Sequence, residues 1–417
     1  MKFAHLADTH LGRQKDEKLR NIEKKVFQNT IDEILKNKVD FVLIAGDFFD
    51  INIPDMETQK LAFEQFKKIK DHNIPIYVIY GSHDSSPNST AAIDLLDSSG
   101  FFTKITIAES EEGKINLSFF VDPKTGAKIT GLPGLKSSRD ITYYEQLDRN
   151  SLESEDGFKI FMFHGGINEM IKENIPGADF MPLSYLPKNF DYYAGGHMHK
   201  FSDESYPDYT HIVYPGTLFS GYHMDFVDNA NGQKRGFVLV EFEKNIEKVE
   251  FIEIPNIEYV LIEIDAKNKK STSVDTELRT KIKESEVKDK LVIINVKGEL
   301  SEGKTTEIDF SEIKDELSEK GVLSVLVNRN QFSSREYSIT SVKGSNKEEI
   351  ETNIFKENIG QLSLEEEKLL GESGISMAKS LLKELGQPKL DNENDQEYNN
   401  RIEIQAFEIL EIDVDDS

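Results

Sequence analysis

Short apolar runs punctuate the first 240 residues: Phe3–Ala7, Phe41–Ala45, Ile76–Tyr80, Ile160–Phe163 and Tyr192–Ala194, each giving way to polar or glycine-containing residues. Runs of this length bounded by turn chemistry predict buried β-strands. Between the first two, Leu19, Ile22, Val26, Ile31, Ile34 and Leu35 recur at helical spacing and predict one apolar helix face. Strands alternating with helices make a layered α/β domain. Lys114 to Thr130 reads as a hairpin around Asp122-Pro123-Lys124-Thr125-Gly126, and Phe237–Phe242 reads as a closing strand, so the first domain spans 1–242. The pattern restarts over 247–330, with strands near Val249–Ile254, Val260–Ile264, Leu291–Val296 and Val322–Val327 and helices near Val274–Ser285 and Phe310–Glu319, a small α+β domain. Leu61, Phe66, Ile93, Leu96 and Phe101 read as core.

Residues 331–347 are polar without a period and read as a linker. Over 348–386, Ile350, Ile354, Ile359 and Leu362, then Leu369, Leu370, Met377, Leu381, Leu382 and Leu385, predict two helices parted near Gly371–Gly374. With little chain left to pack on, such helices are expected to dock on their own domain or in a partner's groove. The tail over 387–417 is acidic, with ten acidic and two basic residues from Pro388 to Ser417, and is expected to be disordered in isolation.

Composition narrows the chemistry. Hydrophobic residues at 37% suffice for a buried core, and charged residues at 30% call for wide solvated faces. Cysteine is absent, so any metal must be held by nitrogen and oxygen ligands. No leader pattern and no membrane-length apolar stretch is visible, so secretion and membrane insertion are not expected, and the reading is cytoplasmic. A net charge of −26 argues against charge-driven adhesion to nucleic acid. Any grip on DNA must then be local, metal-assisted or shared with a partner subunit.

Five of the nine histidines lie in compact motifs that begin where an apolar strand ends: Asp8-Thr9-His10, Gly46-Asp47, Gly81-Ser82-His83-Asp84, His164-Gly165-Gly166 and Gly196-His197-Met198-His199. Ligands gather at the carboxyl ends of strands in α/β sheets, because the loops there converge on one crevice. Asp47, with two carboxylate oxygens, is the natural bridge between two cations, whereas Asp50 reads as a hydrogen-bonding or surface residue. Glycines beside the ligands allow close backbone approach. His5, His72, His211 and His223 fit no such pattern and read as ordinary strand or surface histidines. Lys136 and Arg139 read as a solvated loop.

Two cations on such a set can bind a phosphodiester and activate water. His83 has no required ligand role and is assigned to stabilising the charge of the reacting phosphate or protonating the leaving sugar oxygen.

The ordered motifs resemble the calcineurin-like metallophosphoesterase superfamily. Within it, Phe3 to Gly12 and Tyr214-Pro215-Gly216-Thr217 resemble the SbcD or Mre11 double-strand-break repair nucleases. The resemblance implies a four-layer αββα core, a smaller α+β capping domain at 247–330 and C-terminal helices. It implies one metal on Asp8, His10, Asp47 and His199 and a second on Asp47, Ser82, His164 and His197, where the family usually has Asn in place of Ser82. It further implies manganese, with magnesium as the alternative, and a nucleoid-associated DNA exonuclease and endonuclease acting on ends and hairpins. The implied assembly is a homodimer, through the helices near 55–101, with an SbcC-type coiled-coil ABC ATPase docked on 348–386. Two other readings compete: a phosphatase or cyclic-nucleotide phosphodiesterase on the same scaffold, and a DNA-end-binding scaffold in which Ser82 weakens cutting.

Overall fold

The computed structural model describes the chain except for residues 85–89, 106–107, 112, 135–139, 172–179, 335–350, 353–354, 356–368, 370, 391–392, 394 and 411–417. The chain lays down β1 (Lys2–Leu6), β2 (Phe41–Ala45), β3 (Ile76–Ile79) and β4 (Thr103–Lys104) in parallel, linked by α1 (Glu17–Lys36), α2 (Met56–Asp71) and α3 (Ala92–Ser98). Asp16 and Asp55 cap α1 and α2 by accepting from Leu19 N and Thr58 N. A ribbon of β5 (Ala108–Glu111) and β6 (Lys114–Leu117) follows, and then a second sheet: β7 (Phe120–Val121), β8 (Lys128–Gly131), β9 (Lys159–His164), β10 (Tyr192–Gly196), β11 (Ser202–Tyr206) and β12 (Tyr209–Tyr214). Helices α4 (Asp140–Glu145) and α5 (Arg149–Glu153) precede β9, and α6 (His223–Ala230) follows β12. The chain then returns to the first sheet as β13 (Gly236–Phe242), antiparallel to β1, and β14 (Ile246–Glu253), antiparallel to β13.

Alternation along the strands sorts the side chains. Phe3, Ala7, Phe41, Leu43, Tyr77 and Ile79 point between the sheets against Ile129, Ile160, Met162, Tyr192, Ala194 and Val213. On the outer face of the first sheet, Ala4, Val42, Ile44 and Val78 meet Val26, Phe27 and Ile31 of α1 and Leu61 and Phe66 of α2. On the outer face of the second, Phe161, Phe163 and Tyr193 meet Tyr144 and Leu152. The result is the four-layer αββα core, in which each fully buried Phe, Leu or Ile contributes roughly 1.5–3 kcal/mol. The core reading of Leu61, Phe66, Ile93 and Leu96 holds, and Phe101 is half-buried against the same cluster.

A three-stranded sheet of β15 (Tyr259–Asp265), β16 (Leu291–Leu300) and β17 (Ser324–Ser334) packs on α7 (Ser271–Glu284) and α8 (Phe310–Glu319) around Ile262, Val274, Leu278, Ile294 and Ile313. Leu291 and Ile293 join the cluster that holds Phe226 of α6, and His223 Nε2 lies 2.8 Å from Asn295 Oδ1. Residues 1–333 form one compact unit and 334–417 another. In the second, α9 (Gly371–Leu385) packs against α10 (Asp395–Leu410), and Arg401 pairs with Glu393 at 2.7 Å.

Several expectations are corrected. Ile246–Glu253, read as the start of the second domain, extends the first sheet, because β13 offers it a free edge. The hairpin around 122–126 has short arms, β7 and β8, while Lys114–Leu117 turns away to pair with β5. Gln331–Ser334, read as linker, complete β17. Gly371–Gly374 form the first turn of α9, and Asp395–Leu410 of the acidic tail is helical, since Tyr398, Ile402 and Ile409 recur at helical spacing. The rest of the linker, most of the first C-terminal helix (Ile350, Ile354, Ile359, Leu362), Lys136 and Arg139 lie outside the described residues.

Candidate metal centre

The loops after β1, β2, β3, β9 and β10 meet at one end of the two sheets. Asp8, His10, Asp47 and His197 all have positive φ, at 49°, 43°, 51° and 93°. Such left-handed backbone is costly for residues with a Cβ and persists where the surroundings impose it. Here the loops are laced together: Asp8 N donates to Gly46 O at 3.0 Å and His10 N to Asp47 O at 3.0 Å. His197 N donates to both carboxylate oxygens of Asp8 at 2.9 Å, which joins the second sheet to the first. Asp84, fully buried, accepts from Phe48 N, Phe49 N and Gly81 N and so pins the β2 and β3 loops to each other. A Cβ at Gly81 would strike the Asp47 carboxylate, and one at Gly196 would strike Ala45 O and the His164 ring.

The side chains form overlapping clusters: Asp8 with His10 and His199, Asp8 with Asp47 and His164, and His10 with Asp50 and His83. Asp47 Oδ2 is 3.1 Å from His164 Nε2 and 3.9 Å from His10 Nε2. His10 Nε2 and His199 Nε2 converge to 3.2 Å. Asp8 and Asp47 thus both lie between the two groups of imidazoles. His197 stands at the solvent-facing margin, its ring centroid 5.6 Å from that of His164. Ser82 is half-buried in the turn whose next residue, His83, donates its backbone N–H to Asp47 Oδ1 at 2.8 Å.

Hydrogen bonds behind the imidazoles fix which nitrogen faces inward. His164 Nδ1 donates to Ala45 O at 2.8 Å, His199 Nδ1 to Asp225 Oδ2 at 2.9 Å and His83 Nδ1 to Asp50 O at 2.6 Å. In each ring Nε2 is left to face the pocket, and His164 Nε2 is buried against Asp47 Oδ2. Asp225, buried Arg235 and Asp84 were not singled out from the sequence. Asp84 stands inside the third motif, but nothing in the local pattern marks Asp225 or Arg235. Arg235 donates to the carbonyls of His199 and Asp225 and steadies this corner. Asp50 is buried, pairs with Arg13 at 3.2 Å and lies 3.5 Å from His10 Nδ1.

Burial and charge set the protonation of the pocket. Burial raises the Asp8 carboxyl, and the nearby charge of Asp47 adds to that. Burial also opposes ionisation of Asp47, but the imidazoles of His164 and His10 hold it well below the usual carboxylate range. Burial likewise disfavours a charged His164, yet the Asp47 charge raises it above an ordinary imidazole. Buried carboxylates converging with imidazole nitrogens are the donor set of a hard or borderline divalent cation, so these residues fit a metal centre.

The other histidines serve structure. His5 is buried between the sheets 3.0 Å from Tyr192 Oη, His72 follows α2 on the surface, His211 pairs with Asp203 at 3.2 Å, and His223 ties α6 to β16. Among the described residues no helix is long and apolar enough to cross a membrane.

The model of the calcineurin-like phosphoesterase family matches residues 1–201. Three proteins described as DNA double-strand break repair protein Mre11 are similar to this chain. That of Methanocaldococcus jannaschii is 30% identical over 295 residues, covering 65% of this chain and 71% of that protein. That of Sulfolobus acidocaldarius is 26% identical over 299 residues, covering 71% and 74%. That of Methanococcus maripaludis is 30% identical over 206 residues, covering 48% of this chain and 52% of that protein, about half its length.

Proposed function

This chain belongs to the Mre11 family of calcineurin-like phosphoesterases, and on that premise we propose that it cuts phosphodiester bonds of DNA at double-strand breaks, as both exonuclease and endonuclease. The observation that carries this reading is the convergence of Asp8, His10, Asp47, His164 and His199 in overlapping clusters, within each of which the ligand atoms lie no more than 4.8 Å apart, with His83 in a further cluster beside His10. On this reading Asp8, His10, Asp47 and His199 hold one manganese ion and Asp47, Ser82, His164 and His197 a second, with magnesium as the alternative. When bound, the two cations neutralise the phosphate's charge and make the attacking water more acidic.

The protein's own groups then do the following. Asp47, fixed by His83 N, and Asp8, fixed by His197 N, present carboxylates that need no rearrangement. His83, anchored through Nδ1, offers Nε2 to the leaving sugar oxygen. As water's oxygen bonds to phosphorus it gives up a proton to solvent, and as the P–O bond to the sugar breaks, the Nε2 proton of the His83 imidazolium passes to the departing oxygen. The substrates on this reading are DNA ends and hairpins.

The proposed assembly is a homodimer joined to an SbcC-type coiled-coil ABC ATPase. Exposed Ile51, Ile53, Met56 and Leu95 offer apolar side chains for the first contact, and Leu382 and Leu385 of α9 offer them for the second. The deciding assay measures cleavage of linear duplex DNA with manganese by the parent and by His83→Ala, with bound metal quantified. Loss of roughly a hundredfold in rate with metal retained supports the assignment. Full cleavage by the variant contradicts it.

A further inference from the structure

Tyr222, half-exposed at the rim of the centre, has no part in the ligand set, yet its contacts reach both sides of it. It is the N-cap residue of α6, and its backbone N–H donates to Asp225 Oδ2 at 2.7 Å, the same oxygen that accepts from His199 Nδ1. Its ring stacks on the His199 imidazole, centroids 5.3 Å apart and planes 19° from parallel. The Arg13 guanidinium lies 5.0 Å from the ring centroid, and Arg13 also holds the Asp50 carboxylate. Asp50 in turn accepts from His83 Nδ1 through its carbonyl, and the Tyr222 hydroxyl lies 3.4 Å from His83 Nε2. Tyr222, Arg13, Asp50 and His83 therefore close a loop of contacts around the imidazole.

We propose that Tyr222 is a positioning residue for His83, its hydroxyl keeping Nε2 aimed where the leaving oxygen departs. This rests on the role given to His83 above. A ring anchored at Nδ1 alone can still swing about its Cα–Cβ and Cβ–Cγ bonds, and a second polar contact at the opposite nitrogen narrows that freedom. The two anchors are compatible in either protonation state. When His83 is neutral the phenol donates to the Nε2 lone pair, and when it is charged the Nε2–H donates to the phenol oxygen. At 3.4 Å the contact is loose enough for a leaving oxygen to take its place. The aromatic ring, in contact with both His199 and Arg13, supplies the rigidity.

The test compares two substrates of the manganese-loaded full chain. Duplex DNA leaves as a sugar alkoxide that needs a proton, whereas bis(p-nitrophenyl) phosphate releases a phenolate stable without one. Tyr222→Phe keeps the ring and removes the hydroxyl. It should lower the ratio of kcat on DNA to kcat on the ester by about tenfold with KM on DNA and bound metal unchanged. It should add no further loss on DNA to His83→Ala. In the metal-free protein, proton–nitrogen correlation spectra should show the His83 Nε2 resonance moving in Tyr222→Phe while Nδ1 stays in place.

Equal loss on both substrates, an unchanged ratio, or an additive loss in the double variant overturns the proposal. If His83→Ala itself slows both substrates equally, the proton-donor reading of His83 falls and this inference with it. A selective loss in His83→Ala with an unchanged ratio in Tyr222→Phe overturns the role of Tyr222 alone.

Discussion

His199 is held from three directions, by Asp225 on Nδ1, by Arg235 on its carbonyl and by the Tyr222 ring on its face. A carboxylate behind an imidazole fixes the tautomer and raises the basicity of the inward nitrogen. Asp225→Asn keeps the shape and removes the charge, and it is expected to weaken binding of the cation on that side by about 10- to 100-fold in calorimetric titration, with the fold retained. On the proposed ligand set, Ser82 stands where the resemblance implies an asparagine. Its short hydroxyl stands where an amide oxygen would reach farther, so Ser82→Asn is expected to raise manganese affinity of the second site and cutting rate together. A rise in neither would mean that residue 82 does not reach the ion. The raised His164 adds a proton count: its cation, supported by Asp47, must give up a proton to a metal. Metal uptake should therefore release protons and weaken as pH falls, which calorimetry in buffers of different ionisation enthalpy reads directly.

α1 carries more than a core face. Its buried Glu23 accepts from Gly12 N at 2.9 Å and holds the loop that presents Arg13. Burial raises this carboxyl to about 7, against the stabilising backbone N–H groups of Gly12, Gln14 and Arg13. A carboxyl whose folded-state pKa lies above its unfolded value binds its proton more tightly in the native state. Stability from this group is therefore full below the unfolded value and declines as pH rises towards and through 7. Glu23→Gln, still able to accept from Gly12 N, should flatten that decline and stabilise the protein at pH 8, by roughly 1–3 kcal/mol in denaturant unfolding. An unchanged pH profile would place the proton elsewhere. β14 teaches a different lesson at this scale. Its apolar positions predicted a strand correctly, but not its sheet, because an exposed edge on β13 at the right register decides the partner. α10 shows that net charge alone does not prevent a helix when apolar residues recur along one face and α9 is there to receive them.

For the whole molecule, a charge of −26 argues against generic, charge-driven adhesion to DNA. On the proposed function, cutting by the isolated chain should be weak on duplex and should strengthen when the proposed ATPase partner is added. Removing residues 348–417 is expected to abolish capture of an SbcC-type ATPase in a pull-down while hydrolysis of a small phosphodiester continues. Capture by the shortened chain would move the docking surface elsewhere. The amino-acid order by itself determined the strand-and-helix alternation, the placement of Asp8, His10, Asp47, His83, His164, His197 and His199 just past strand ends, and the exclusion of thiolate chemistry. These are local properties, set by side-chain period and residue type. Only the tertiary structure decided that Asp225, Asp50 and Ala45 govern which imidazole nitrogen faces inward, that Asp84 and Arg235 brace the loops, and that Tyr222 stands over His199 and His83. Those partners are brought together by sheet pairing and packing between segments far apart in the chain, and no short-range pattern encodes such contacts.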